Sequence, residues 1–176
     1  MIDTDRLVLR RWQDRDRETF YAHCADPDVM RYFPALLSRE EVDAAIARQD
    51  GYMASHGFCF WVAEDRSSGQ MLGFCGLKPG AEGTPLEGSV EIGWRFGKEH
   101  WGRGYAREAA EASLAWGFAN LPVERIGAIT VLANMRSWGL MERIGMARSL
   151  PEDFDHPSVA DDSPLKRHIT YWKTRP

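Results

Sequence analysis

The chain has 176 residues, of which 44% are apolar and 27% charged, and carries a formal net charge of −4. That size and balance fit one soluble globular domain spanning 1–176, and the mild negative charge supplies no field that would draw it to nucleic acid or an anionic membrane. No segment approaches the roughly 18 uninterrupted apolar residues of a membrane span, and the opening Met1-Ile2-Asp3-Thr4-Asp5 lacks the basic start of a signal peptide, so a cytoplasmic protein is expected.

Leu7-Val8-Leu9 opens the chain with strand character, and Asp14 to Ala25 has helical composition. Ser38 followed three residues later by Glu41 makes a capping box, which predicts a helix running to about Ala54. Phe58 to Ala63 and Met71 to Leu77, joined by Arg66-Ser67-Ser68-Gly69, read as an antiparallel hairpin. Gly88 to Phe96 is a further strand, whose alternation puts Val90, Ile92, Trp94 and Phe96 on one face. Ala106, Ala110, Leu114 and Phe118 mark one stripe of an amphipathic helix. Beyond Pro122, Ile126 to Leu132 is a buried strand, and a helix from about Asn134 to Ile144 stops at Gly145. Leu150 to Leu165 is a long loop, and His168 to Lys173 a final strand. This succession predicts an α+β, or mixed α/β, domain around one central sheet.

The three cysteines, Cys24, Cys59 and Cys75, are odd in number and stand in apolar or mixed surroundings, so they read as reduced, buried small hydrophobes. The five histidines share no metal-ligand spacing with them, and no metal is expected. Trp12, Trp61, Trp94 and Trp138 are expected to pack the core.

The most informative segment is Trp101-Gly102-Arg103-Gly104-Tyr105-Ala106, between a strand and a long helix. Two glycines let backbone approach a ligand closely or turn with positive φ, and the helix start offers unpaired N–H groups to phosphate. A phosphate loop of the Gly-Lys-Ser/Thr type is absent. A dinucleotide fingerprint would need glycine or alanine at Arg107 and a parallel strand–helix–strand start.

A third reading fits. Val90-Glu91-Ile92-Gly93-Trp94-Arg95-Phe96 and then Trp101 to Ala109 resemble the acetyl-coenzyme A motif of the GNAT N-acetyltransferase superfamily. Asn134-Met135-Arg136-Ser137 and Glu142-Arg143-Ile144-Gly145-Met146 look like its next motif, and Asp5-Arg6-Leu7-Val8-Leu9-Arg10 is similar to its ribosomal-protein alanine acetyltransferase (RimJ/RimL-like) branch. The resemblance implies a mostly antiparallel central sheet with splayed central strands, flanked by helices. It implies acetyl-CoA as cosubstrate, held by Trp94, Arg95, Phe96, Trp101, Gly102, Arg103, Gly104, Tyr105, Ala106, Asn134 and Ser137. The pantetheine arm would lie in the splay, with the pyrophosphate on Arg103 to Ala106. Trp101 stands where the broad pattern prefers glutamine or arginine. Met141 stands where many relatives carry a tyrosine that protonates the departing thiolate.

Such a reaction needs a neutral amine, although a free α-amine has a reference pKa near ~7.7–8 and lysine near ~10.4. Glu91 is the leading base candidate, because it interrupts an apolar strand and burial would raise its pKa. Its alternatives are a solvent-facing position or a pair with Arg95. Ser137 matches a serine given a catalytic role in the resembling branch, and its alternative is a hydroxyl that satisfies a free N–H at a helix start. Tyr171 and His168 are reserves, and His156 is a base only if its loop folds inward. The expected partner is an amine acceptor, with no nucleic acid or membrane, and the expected state a monomer or homodimer. The competing reading is a coenzyme A-binding sensor made silent by Met141. Glu152, Asp153, Asp155, Asp161 and Asp162 suggest an acidic lip that favours polycationic acceptors, the alternative being a solvated loop whose charges only keep it soluble.

Overall fold

A computed structural model describes residues 1–176. Strand β1 (Ile2–Asp3) edges a nine-stranded sheet, followed by β2 (Leu7–Arg10), β3 (Phe60–Asp65), β4 (Met71–Pro79) and β5 (Val90–Phe96), each antiparallel to the one before it. Next comes β6 (Arg125–Val131), parallel to β5, and then the antiparallel β9 (Arg167–Thr174). β9 also pairs with β7 (Ala147–Arg148) and β8 (Phe154–Asp155). The sheet is thus mixed and mainly antiparallel, as expected. The two-residue strands β1, β7 and β8 were not foreseen, because two residues carry no periodicity.

The turn between β3 and β4 is the one the sequence indicates. Both hydroxyls and both amides of Ser67 and Ser68 donate to Asp65 Oδ1, and these bonds hold that carboxyl down to about 2. Helix α1 (Arg17–Ala25) follows a 3-10 turn at Asp14–Asp16. Helix α2 (Arg39–His56) begins with the foreseen capping box, runs two residues past Ala54, and ends at Gly57 in the left-handed conformation. Helix α3 (Tyr105–Asn120) and helix α4 (Met135–Arg143) complete the set. No helix is long and apolar enough to cross a membrane.

Two layers cover the sheet. On one face Phe20 and Cys24 of α1 and Val42 and Ile46 of α2 pack on Val62 and Phe74. On the other, Ala110, Leu114 and Phe118 of α3 and Leu140 and Met141 of α4 pack on Trp61, Leu77, Ile92 and Ile126. Gly117 sets α3 onto the sheet's seam, since a Cβ there would lie 2.7 Å from Leu77 Cδ1 and 2.8 Å from Ile126 Cδ1. Trp12 and Trp61 are buried, whereas Trp94 and Trp138 pack on the core while partly exposed. All three cysteines are buried and free, and burial pushes the Cys59 and Cys75 thiols up to about 12.

Candidate active site

Strands β5 and β6 pair only at Val90↔Ile126 and Glu91↔Gly127. Past Glu91, β5 stays paired to β4 as far as Phe96, and past Gly127, β6 stays paired to β9 as far as Val131. The facing edges, Ile92–Phe96 and Ala128–Val131, therefore diverge and leave backbone polar groups lining a gap, which must find partners of their own.

The glycine loop lies beyond the end of β5. Gly102 and Gly104 have φ of +74° and +82°, the left-handed region where glycine pays no Cβ penalty. Gly104 is the residue before α3, and no side chain caps that helix, so its first N–H groups are left to the loop's open side. A Cβ on Gly102 would meet no protein atom within 4 Å. Trp101 ties the loop to the strand by donating from Nε1 to Phe96 O at 2.9 Å, and the Arg136 guanidinium stacks over its ring at 4.6 Å.

The chain's opening segment braces the same loop. Arg6 Nη1 donates to Arg103 O at 2.9 Å, and Arg6 stacks over Tyr105 at 4.6 Å. Arg6 Nε and Thr4 Oγ1 donate to the Glu108 carboxylate at 2.7 and 2.6 Å. Glu108 thus spends its charge on Arg6, in the first turn of α3. Sequence reasoning quoted Arg6 and Glu108 within motifs but missed their pairing, which joins positions 102 residues apart.

At the start of α4, Asn134 Oδ1 accepts from Ser137 N at 3.4 Å and Asn134 Nδ2 donates to Thr130 Oγ1 at 3.1 Å. The cap is therefore Asn134, and the capping alternative for the Ser137 hydroxyl does not hold. Met141 is buried in the core under α4. The Tyr171 hydroxyl donates to Glu142 Oε1 at 3.1 Å, and burial together with that carboxylate raises its pKa.

Glu91 sits at the vertex of the splay, as the last residue of β5 paired to β6. Its partner is Lys78, directly across on β4, and not Arg95. Burial raises the Glu91 pKa, and the Lys78 charge opposes that rise. Trp94 and Phe96 lie on the α3 side of β5 with Ile92. Arg95 points the other way, its Nη1 3.2 Å from Cys24 Sγ and its guanidinium 4.0 Å over Phe33. The Arg95 side chain is accordingly separated from the glycine loop by the sheet, and only its backbone faces the gap.

The loop carrying His156 does fold inward. His156 packs against His168 at 4.8 Å, and burial lowers the pKa of both. The same loop sets cations against most of the acids of the expected lip. Asp153 pairs with Arg148 at 2.6 Å, Asp155 with Arg167 at 3.3 Å, Asp161 with Lys166 at 2.8 Å, and Glu152 with Arg125 at 3.6 Å. The cations stand just outside the acidic stretch or across the sheet and offset four of its five acids, Asp162 having no ion pair. The fold also gathers ligand atoms of His23, Glu99 and His100 within 4.8 Å, a cluster that linear spacing did not show. Burial holds His23 below its usual pKa, and its Nδ1 has no acceptor, so the second contact that orients metal-bound histidines is missing.

Residues 6–147 match the family described as the acetyltransferase (GNAT) domain. YkkB of Bacillus subtilis (strain 168) is 35% identical over 144 residues, covering 81% of this chain and 83% of that protein. An acetyltransferase (GNAT family) structure from Bacillus anthracis superposes with a TM-score of 0.81 at 24% identity, over 98% of this chain and 97% of that one. The RimL ribosomal L7/L12 α-N-protein acetyltransferase bound to coenzyme A shares the fold, with a TM-score of 0.75, but only 12% identity over 97% of this chain and 95% of that one. The splayed sheet, the glycine loop and these likenesses agree: the chain belongs to the GNAT acetyltransferase family, whose shared chemistry is acyl transfer from acetyl-CoA.

Proposed function

We propose that the protein is an N-acetyltransferase that moves the acetyl group of acetyl-CoA directly onto an amine. The observation that carries this reading is the uncapped, glycine-lined start of α3 set beside the open β5–β6 gap. The loop from Gly102 to Ala106 would take the pyrophosphate on its N–H groups, braced by Arg6 and Trp101. The diverging edges of β5 and β6 would pair with the amides of the pantetheine arm and bring the thioester toward the splay, with Trp94 and Phe96 forming the wall on the α3 side.

Glu91, with its raised pKa, accepts the proton of the acceptor ammonium, directly or through water. The free amine nitrogen then bonds to the thioester carbonyl carbon, strand N–H groups steady the oxyanion, and the carbon–sulfur bond breaks as the nitrogen releases its second proton. Ser137, whose hydroxyl is not used in capping, would pass a proton to the leaving thiolate and take up in its place the second proton released by the nitrogen. Met141 supplies none. The similarity of Asp5 to Arg10 to the RimJ/RimL-like branch supports a protein N-terminus among the acceptors to be tried.

Calorimetric titration with coenzyme A and thiol release from acetyl-CoA over an amine panel test the reading. A methyl added at Gly102 meets open space in the protein, so Gly102→Ala is expected to weaken coenzyme A binding at least tenfold. Its stability cost should stay at about 1–2 kcal/mol, the left-handed penalty. Unchanged affinity in that variant would remove the loop from the binding site. Binding without thiol release, on any amine, would leave a coenzyme A sensor.

A further inference from the structure

The α1–α2 side of β5 holds an unpaired charge. Arg95 is the partner of Phe74 across β4 and β5, and its guanidinium lies among aromatic rings, 4.0 Å from the Phe33 centroid, 5.5 Å from Phe74 and 5.9 Å from Phe20. Its one hydrogen-bond acceptor is the Cys24 sulfur, a weak one, at 3.2 Å, and its Nε is buried with no partner. No carboxylate forms an ion pair with it. Arg10, buried in the same layer, shows what this fold does elsewhere: it is held by Asp16 at 2.7 Å and by Glu64 at 2.6 Å. A guanidinium partly withdrawn from water without a counter-charge is costly, and burial depresses its pKa accordingly. Proteins keep such a group where something else completes it.

The space that Arg95 faces is a cleft of about 230 Å³ with Phe20, Phe60 and Phe74 among its walls. Phe60 and Phe74 stack face to face at 5.3 Å and make an apolar wall. Three cations line the cleft, Arg48, Lys78 and Arg95, and no carboxylate does. Lys78 is spent on Glu91, which leaves Arg48 and Arg95 unpaired. Glu91 and Arg95 lie on the same face of β5, four residues and so about 13 Å apart along the strand. The cleft therefore runs from Lys78, which holds Glu91, to an unmatched guanidinium at the other end, across an aromatic surface.

We propose that this cleft is the acceptor site and that it selects an amine carrying, on an apolar or aromatic body, its own anionic group, a carboxylate or a phosphate, seated on Arg95 with Arg48 at the rim. This inference rests on the N-acetyltransferase reading for the word acceptor, whereas anion recognition by Arg95 stands apart from it. A guanidinium offers a planar pair of N–H donors suited to either oxyanion. The same arrangement disfavours polyamines, whose charges would meet Arg48 and Arg95 without a carboxylate to receive them.

The test has two arms on the full chain. Benzoate, phenyl phosphate and benzyl alcohol are titrated without coenzyme A, following binding by calorimetry and by the Nε–Hε resonance of Arg95. At least one anionic fragment should bind tenfold or more tightly than the alcohol, and the stronger of the two identifies carboxylate or phosphate. Arg95→Met should abolish that preference without lowering the melting temperature, since it removes an uncompensated charge, and Arg95→Lys should restore part of it. Arg48→Gln, on the exposed face of α2, should reduce the preference by a smaller factor. In the second arm, thiol release is compared for phenylalanine against phenethylamine and for phosphoethanolamine against ethanolamine. The anionic member should have the higher kcat/KM in at least one pair, with the loss in Arg95→Met appearing in KM. Equal binding of the three fragments, or a preference that survives Arg95→Met, overturns the proposal even if acetyl transfer proceeds. Anion binding that depends on Arg95 in a protein that releases no thiol upholds the cleft and overturns the transferase reading instead.

Discussion

Glu91 and Lys78 form the pair on which the pH dependence of the proposed reaction would turn. Burial raises the Glu91 pKa, so its basic form is lost as pH falls through a value above the ordinary carboxylate range. The acidic limb of a kcat/KM profile should therefore lie above pH ~4.3, the reference for glutamate. Lys78 is the charge that restrains the rise. Lys78→Met should move the limb to higher pH, and Glu91→Gln should lower kcat and erase the limb while coenzyme A affinity holds. A limb unmoved by both variants would return Glu91 to a structural role. Ser137 and Asn134 separate in the same way. Asn134→Ala should cost about 1 kcal/mol of stability as a lost cap, whereas Ser137→Ala should leave the melting temperature in place and reduce kcat. That Glu91 is charged and flanked by apolar residues is visible in the sequence. Its choice of Lys78 over Arg95 is not, because it depends on which residues of β4 stand across from β5, a register fixed by the whole hairpin.

Elements with a local code were readable. Ser38 and Glu41 announced α2, the apolar stripe through Ala110, Leu114 and Phe118 announced α3, and Gly145 with φ of +76° ends α4's turn as foreseen. What could not be read is how one element supports another. Arg6 links β1–β2 to the glycine loop and to Glu108, and nothing in its neighbourhood along the chain marks that duty. Arg6→Ala should therefore raise the coenzyme A dissociation constant several-fold, while the melting temperature barely changes, because the pair is partly exposed and such pairs contribute about 0–1 kcal/mol. Calorimetry alongside thermal melting distinguishes a loosened loop from a weakened fold. Equal cofactor affinity would show that the loop needs no brace.

Across the whole molecule, charge is distributed against the simplest reading of the sequence. The acids of the 152–162 stretch appear unopposed in linear order, yet Arg148, Lys166, Arg167 and Arg125 meet four of them. Replacing Asp153, Asp155, Asp161 and Asp162 by asparagine should change kcat/KM for a polyamine and a mono-amine by the same factor. A selective loss for the polyamine would revive the acidic lip. The positive lining of the α1–α2 cleft, in contrast, is assembled from residues on α2, β4 and β5, so no window of sequence contains it.

The two rungs between β5 and β6 have a consequence for how the protein breathes. Strands β1 to β5 and strands β6 to β9 meet through Val90↔Ile126 and Glu91↔Gly127, with α3 laid over the join. A cofactor whose amides completed the missing rungs, as proposed, would act as a removable splice between two half-sheets. Amide hydrogens of Ile92–Phe96 and Ala128–Val131 that point into the gap should exchange quickly in the free protein, from small local openings, and slow on saturation with coenzyme A. At a hundredfold excess over its dissociation constant the ligand should add about 2.7 kcal/mol to the unfolding free energy. The slowing should be concentrated along those two edges, leaving the β3–β4 hairpin, already paired on both sides, almost as it was.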